Sequence, residues 1–196
     1  MKKFAVFITK LFFGLFFRVE VVNAGNIPEE GPALVCATHN NMLDMFLLGY
    51  KLKRWIYWMA KEELFKNPIT GYIYRKLGAF PIKRGKGDIG SIKTAYRHFE
   101  AGNIVGIFPQ GTRVKANNRK NTSIKPGAAL LAVNAGVKII PANITGTYRL
   151  FGKIRVIFGQ PYMIVPEEGQ KPTGDELKEI SKGIMEKIYA LTENVN

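Results

Sequence analysis

Apolar residues follow two rhythms along this chain. Short runs bounded by turn residues predict strands over Arg18 to Val22, Ala33 to Thr38, Trp55 to Met59, Ile104 to Phe108, Lys138 to Ile144 and Ile154 to Phe158. Between them, spacings of three and four predict helices over Met42 to Lys53, Pro68 to Leu77, Ile89 to Ala101, Gly127 to Ala135 and Asp175 to Leu191. The clearest is Ile89 to Ala101, where Ile89, Ile92, Tyr96 and Phe99 form one stripe, Asp88 can cap the start and Gly102 follows the end. His98 lies off that stripe and reads as a solvated helix residue. Alternating strands and helices predict an α/β fold, whose sites are usually built at the C-terminal ends of strands.

The N-terminus follows neither rhythm. Phe4 to Ile8 and Leu11 to Phe17 are almost wholly apolar, flanked by Lys2, Lys3 and Arg18 and interrupted by Thr9 and Lys10. About 14 residues at 1.5 Å each give about 21 Å, short of the roughly 30 Å of bilayer hydrocarbon. Residues 1–17 are therefore expected to form an amphipathic helix lying in a membrane interface, with 18–196 as a single folded domain. Two other readings stand beside it. A signal peptide would cleave after Val22 and Ala24, but Arg18 and Glu20 separate that point from the apolar run. A buried core helix is the third.

Composition narrows the partners. With 196 residues and 46% hydrophobic content the chain can bury one substantial core, and no repeat or linker divides it. A formal charge of +14 favours an anionic partner: a membrane surface, a nucleic acid or an acidic protein. No helix-turn-helix signature, zinc-ligand spacing or RNA-binding aromatic pair accompanies the charge, so nucleic acid is not expected. Cys36, the one cysteine, sits within an apolar run and reads as a small core residue. Two histidines and scattered carboxylates predict no metal site.

Two segments carry candidate chemistry. In His39-Asn40-Asn41-Met42-Leu43-Asp44, positions five apart lie about 140° apart on a helix and cannot meet there. They can meet if His39 is in the loop and Asn40 or Asn41 caps the helix, which puts Asp44 in the first turn. The aspartate would then fix the imidazole tautomer and leave its other nitrogen as a base. The spacing alone is equally compatible with a capping aspartate beside an unrelated histidine. The second segment, Phe108-Pro109-Gln110-Gly111-Thr112-Arg113, ends a strand in a turn. There Gly111 permits close approach of a ligand, and Thr112 and Arg113 offer a hydroxyl and a planar cation suited to phosphate.

Read in order, these segments resemble the glycerolipid acyltransferase family. His39 to Asp44 is similar to its His-x4-Asp motif, Met59 to Phe65 to its lysine block, and Gly78 to Arg84 to the block ending in a substrate-binding arginine. Phe108 to Arg113 is similar to its Phe-Pro-Glu-Gly-Thr-Arg block, and Ile139 to Ala142 to its late proline motif. Gln110 replaces the usual glutamate and cannot be a base.

The resemblance implies a mixed central sheet flanked by helices, of the glycerol-3-phosphate acyltransferase type. It implies acyl transfer to 1-acylglycerol 3-phosphate, forming phosphatidic acid, with His39 and Asp44 catalytic and Lys61, Arg84, Gln110, Gly111, Thr112 and Arg113 binding substrate. No cofactor is implied, the acyl donor being a thioester of acyl carrier protein or coenzyme A. Its partners would be that donor, a lysophospholipid acceptor and an anionic membrane surface, at the cytoplasmic face of the cell membrane. Another lyso-lipid acceptor, or a non-catalytic lipid- or nucleic-acid-binding role, is the alternative.

Overall fold

The structure, a computed structural model, describes residues 1–83, 88–114, 118, 122–166 and 171–192. Among these, seven strands form one sheet: β1 (Arg18–Val22), β2 (Ala33–Ala37), β3 (Ile56–Lys61), β4 (Phe80–Ile82), β5 (Ile104–Ile107), β6 (Lys138–Gly146) and β7 (Lys153–Phe158). Their order is β1-β7-β6-β2-β5-β3-β4. Every neighbouring pair is parallel except β6 and β7, so the sheet is mixed, as expected. The helices are α1 (Lys2–Phe16), α2 (Asp44–Leu48), α3 (Pro68–Lys76), α4 (Ile89–Glu100), α5 (Gly127–Ala135) and α6 (Gly174–Ala190).

β2 lies between β5 and β6, and period-two alternation along it sorts the core into two layers. Ala33, Val35 and Ala37 face α1 and α2, packing with Phe13, Leu47, Leu48, Tyr50 and Trp58. Leu34 and Cys36 face the opposite side, against Phe99 of α4, Leu131 of α5 and Ile184 and Ile188 of α6. Continuing the alternation, His39 emerges on the α1/α2 side and Thr38 on the α6 side. Burial pushes the Cys36 thiol well above its ordinary range, which suits a core residue and not a nucleophile.

Several expected elements shift. The helix expected over Met42 to Lys53 is only α2, Asp44–Leu48, because the chain turns out of helix at Gly49. Neither Asn40 nor Asn41 is its N-cap: that position is Leu43, whose N–H donates to Asn41 Oδ1 at 3.0 Å. β4 joins the sheet edge beside β3, a strand too short for its apolar pattern to announce. In α4 the Asp88 cap holds, accepting from Ser91 N–H, but Ile89 is exposed and the buried stripe runs through Ser91, Ala95 and Phe99. His98 is not a solvated residue. Its ring packs on Tyr57 and Phe80, with centroids 4.2 and 5.4 Å away, and burial helped by the Lys2 charge holds its pKa below the ordinary value.

α1 is amphipathic in an unusual sense. Phe13, its one buried residue, packs against Tyr50 and anchors the helix to the core, while Phe4, Phe7, Leu11 and Leu15 point to solvent. Lys2 turns inward and donates to Tyr57 Oη at 2.6 Å. Among the described residues, no helix is long and apolar enough to cross a membrane.

Candidate active site

β2 and β5 are parallel neighbours, and the turns beyond their C-terminal ends deliver the two candidate segments side by side. His39 lies two residues beyond the end of β2, and the turn that follows folds back so that Asp44, fully buried, opens α2 beneath the imidazole. His39 Nδ1 and Asp44 Oδ2 are 2.9 Å apart. The N–H groups of Asn40 and Asn41 donate to the same oxygen at 2.6 and 2.7 Å. Tyr148, in the loop after β6, donates its phenol proton to Asp44 Oδ1. Burial and the adjacent carboxylate push that phenol well above its usual pKa, so it stays a donor. Since a carboxylate only accepts, Nδ1 carries the imidazole proton and Nε2 presents its lone pair.

The imidazole is also held by its faces. It stacks on Phe108 at 4.1 Å between centroids and 14° between planes, and Phe108 stacks on Trp58 at 4.7 Å and 11°. Gly106 makes room for this pile: a Cβ there would lie 2.5 Å from Trp58 Cε3. Trp58 in turn lines a cavity of about 310 Å³ between α1, α2, β3 and α3, with Val6, Met45, Phe46 and Leu77 among its apolar walls.

Gln110 occupies a different position from the one expected of a substrate contact. It is 1% exposed, its Oε1 accepts the His39 backbone N–H at 2.7 Å, and its Nε2 donates to Tyr189 Oη at 3.2 Å. The side chain thus pins the His39 backbone beneath the strand ends. Beyond it, Gly111 adopts φ +65° and turns the chain outward, leaving Thr112 and Arg113 exposed. The Val114 N–H then donates to the His39 carbonyl at 2.8 Å, which keeps the Arg113 backbone close to His39. Lys61 ends β3, half-exposed and paired with Glu63 at 2.8 Å. Arg84 lies outside the described residues.

The sequence profile of the acyltransferase family matches residues 18–145. The chain belongs to that acyltransferase family.

The 1-acyl-sn-glycerol-3-phosphate acyltransferase of Bacillus subtilis (strain 168) is 30% identical over 202 residues, an alignment spanning 100% of this chain and 99% of that one. A chloroplastic 1-acyl-sn-glycerol-3-phosphate acyltransferase of Arabidopsis thaliana is 28% identical over 177 residues, spanning 82% of this chain and 49% of its own, so the chain matches about half of that plant relative. The crystal structure of the 1-acyl-sn-glycerophosphate (LPA) acyltransferase PlsC from Thermotoga maritima superposes with a TM-score of 0.72 at 24% identity, over 98% of this chain and 79% of that one. That likeness shows the shared acyltransferase fold.

Tyr148 and Tyr189 escaped the sequence reading. Neither lies in a motif, and each is brought to the site from more than seventy residues away. Only the strand order, which sets β6 directly beside β2, could have pointed to the loop that carries Tyr148.

Proposed function

We propose that the chain transfers an acyl group from an acyl thioester to the free hydroxyl of 1-acylglycerol 3-phosphate, yielding phosphatidic acid for phospholipid synthesis. The observation that carries this reading is the His39–Asp44 pair at 2.9 Å, with Nε2 free to take a proton, in a chain whose full-length relative carries that activity in its name. His39 Nε2 accepts the hydroxyl proton as the acceptor oxygen attacks the thioester carbonyl. Asp44 stabilises the imidazolium, and the tetrahedral intermediate collapses with expulsion of the thiolate, which takes the proton back. The acceptor is itself the nucleophile, so no acyl-enzyme forms. A positioned base contributes roughly 100- to 10,000-fold, and orientation of the two reactants a further share of the barrier.

Arg113, Thr112 and Gly111 bind the phosphate in this reading, joined by Arg84 and Lys61 from the neighbouring blocks. The apolar cavity beside Trp58 receives an acyl chain. No further cofactor takes part, the donor thiol being acyl carrier protein or coenzyme A. The outward apolar face of α1, with Lys3 and Lys10 among it, rests on an anionic bilayer at the cytoplasmic face and brings the lipid acceptor to the site without spanning the membrane.

The test is an assay of the purified protein with lysophosphatidic acid and each thioester donor, beside His39→Ala. The variant should lose turnover while still binding the acceptor, and unchanged turnover would reject the mechanism. Arg113→Ala should weaken phosphate-bearing acceptors selectively. Equal loss on a phosphate-free acceptor would remove it from the phosphate site.

A further inference from the structure

The loop between β6 and β7, Thr147 to Gly152, has more structure than a connection needs. Its tip exposes Leu150 and Phe151, each more than 60% accessible. Phe151 holds a left-handed backbone at φ +57°, a conformation that bulky residues rarely adopt. The loop is not slack: the Gly152 N–H donates to Arg149 O at 2.7 Å, and a Cβ on Gly152 would lie 2.7 Å from Thr147 O. A rigid turn therefore holds an aromatic ring out into solvent.

Two backbone bonds say where it is held. The Phe151 N–H donates to Phe16 O, in the last turn of α1, at 2.7 Å, and the Arg18 N–H donates to Gly152 O at 3.0 Å. The exposed tip thus continues the outward apolar surface of α1, where Leu15 and Phe16 are also exposed, and exposed Arg18 and Arg149 flank it. An apolar patch rimmed by arginines and continuous with an apolar helix face is complementary to an anionic bilayer. The same loop carries Tyr148, whose ring packs on Phe17 at 6.0 Å and whose hydroxyl reaches Asp44.

We propose that the 147–152 loop is a second lipid-contacting element, in which Leu150 and Phe151 enter an anionic bilayer beside α1 and Tyr148, as a positioning residue, ties that contact to the catalytic aspartate. This rests on the reading of α1 as an interfacial helix. Lipid contact at the tip and carboxylate orientation in the site are then two ends of one rigid turn.

The full chain should be sedimented with vesicles of phosphatidylcholine alone and of phosphatidylcholine with phosphatidylglycerol. Three variants accompany it: Leu150→Ser with Phe151→Asn, which suits a left-handed backbone; Phe7→Ser with Leu11→Ser on α1; and Tyr148→Phe. The loop variant should bind anionic vesicles about tenfold more weakly, while its turnover of a short-chain, water-soluble acceptor is unchanged. Wild-type binding by the loop variant, with binding lost in the α1 variant, overturns the loop proposal and leaves the α1 reading intact. An α1 variant that binds like wild type, or a wild type that does not bind, overturns both. Tyr148→Phe should keep vesicle binding and acceptor KM but lose about tenfold in kcat; an unchanged kcat, or a loss of vesicle binding, overturns the link to Asp44.

Discussion

Asp44→Asn isolates the charge of the dyad from its geometry. In the parent, Asp44 Oδ2 accepts from two backbone N–H groups as well as from His39, and Oδ1 accepts from Tyr148. An asparagine placed in that cage must direct its oxygen at the two backbone donors, since its amide hydrogens would oppose them. Its NH2 then faces Tyr148, whose hydroxyl can rotate to accept. His39 therefore keeps its Nδ1–H tautomer and its orientation, and only the negative charge beside the developing imidazolium is lost. At an effective dielectric of about 20 and a charge separation of about 4 Å, that interaction is worth about 4 kcal/mol, or about three decades in rate. The retained neutral hydrogen bond returns part of this, so kcat should fall about 100- to 1,000-fold, less than the roughly 10,000-fold loss typical when such a substitution imposes the wrong tautomer. The assay follows thiol release from an acyl thioester with a thiol-reactive chromophore, at saturating acceptor, with circular dichroism to verify the fold. Turnover within about threefold of the parent, or a raised KM at unchanged kcat, would refute the electrostatic role assigned to Asp44.

Other positions give sharper structural tests. Gly106→Ala drives a methyl group to within 2.5 Å of Trp58 and 2.7 Å of Ile56, and overpacking there should cost about 1–3 kcal/mol by urea unfolding; parental stability would mean the aromatic stack yields easily. Gln110→Glu should leave turnover within about tenfold of the parent, because a carboxylate can accept from both the His39 N–H and the Tyr189 hydroxyl. A gain of several orders of magnitude would show instead that the charge at this position is catalytic. The Lys83 N–H, with help from Ser91, holds the Asp88 carboxyl below its ordinary pKa, against the opposing effect of burial. Stability from a depressed carboxylate is present above its unfolded value near pH 4 and lost as pH falls through the folded value. Asp88→Ala should therefore cost about 0.5–2 kcal/mol at neutral pH, with the gap to the parent closing in acid; a constant gap would refute the linkage.

Much of the fold was legible because the strands are buried on both faces and read as apolar runs. β2, β5, β6 and β7 fall within two residues of their expected bounds. α2 was overextended because apolar residues continue past Leu48 to Tyr50 and Leu52, and periodicity cannot see that the backbone has turned at Gly49. Ile89 was misjudged for a related reason: the first turn of α4 precedes its contact with the sheet, so an apolar residue there stays wet. At the site, His39 and Asp44 were within reach of sequence reasoning because their contact is local. For Gln110 the resemblance implies a substrate contact, and a turn residue beside polar neighbours gives no sign that its amide folds under the strand ends. Tyr148 was invisible because it depends on the pairing of β6 with β2, a contact about a hundred residues apart.

The proposed base, the carboxylate that accepts from it and the two backbone donors to that carboxylate all lie within six consecutive positions, His39 to Asp44. Acceptor recognition, by contrast, is proposed for the turn after β5, with Lys61 and Arg84 from other stretches of the sequence. Under the proposed mechanism, chemistry and selectivity travel on separable lengths of chain. Substitutions in the proposed headgroup contacts then leave the proposed proton-transfer unit intact, so a change of acceptor need not disturb the catalyst.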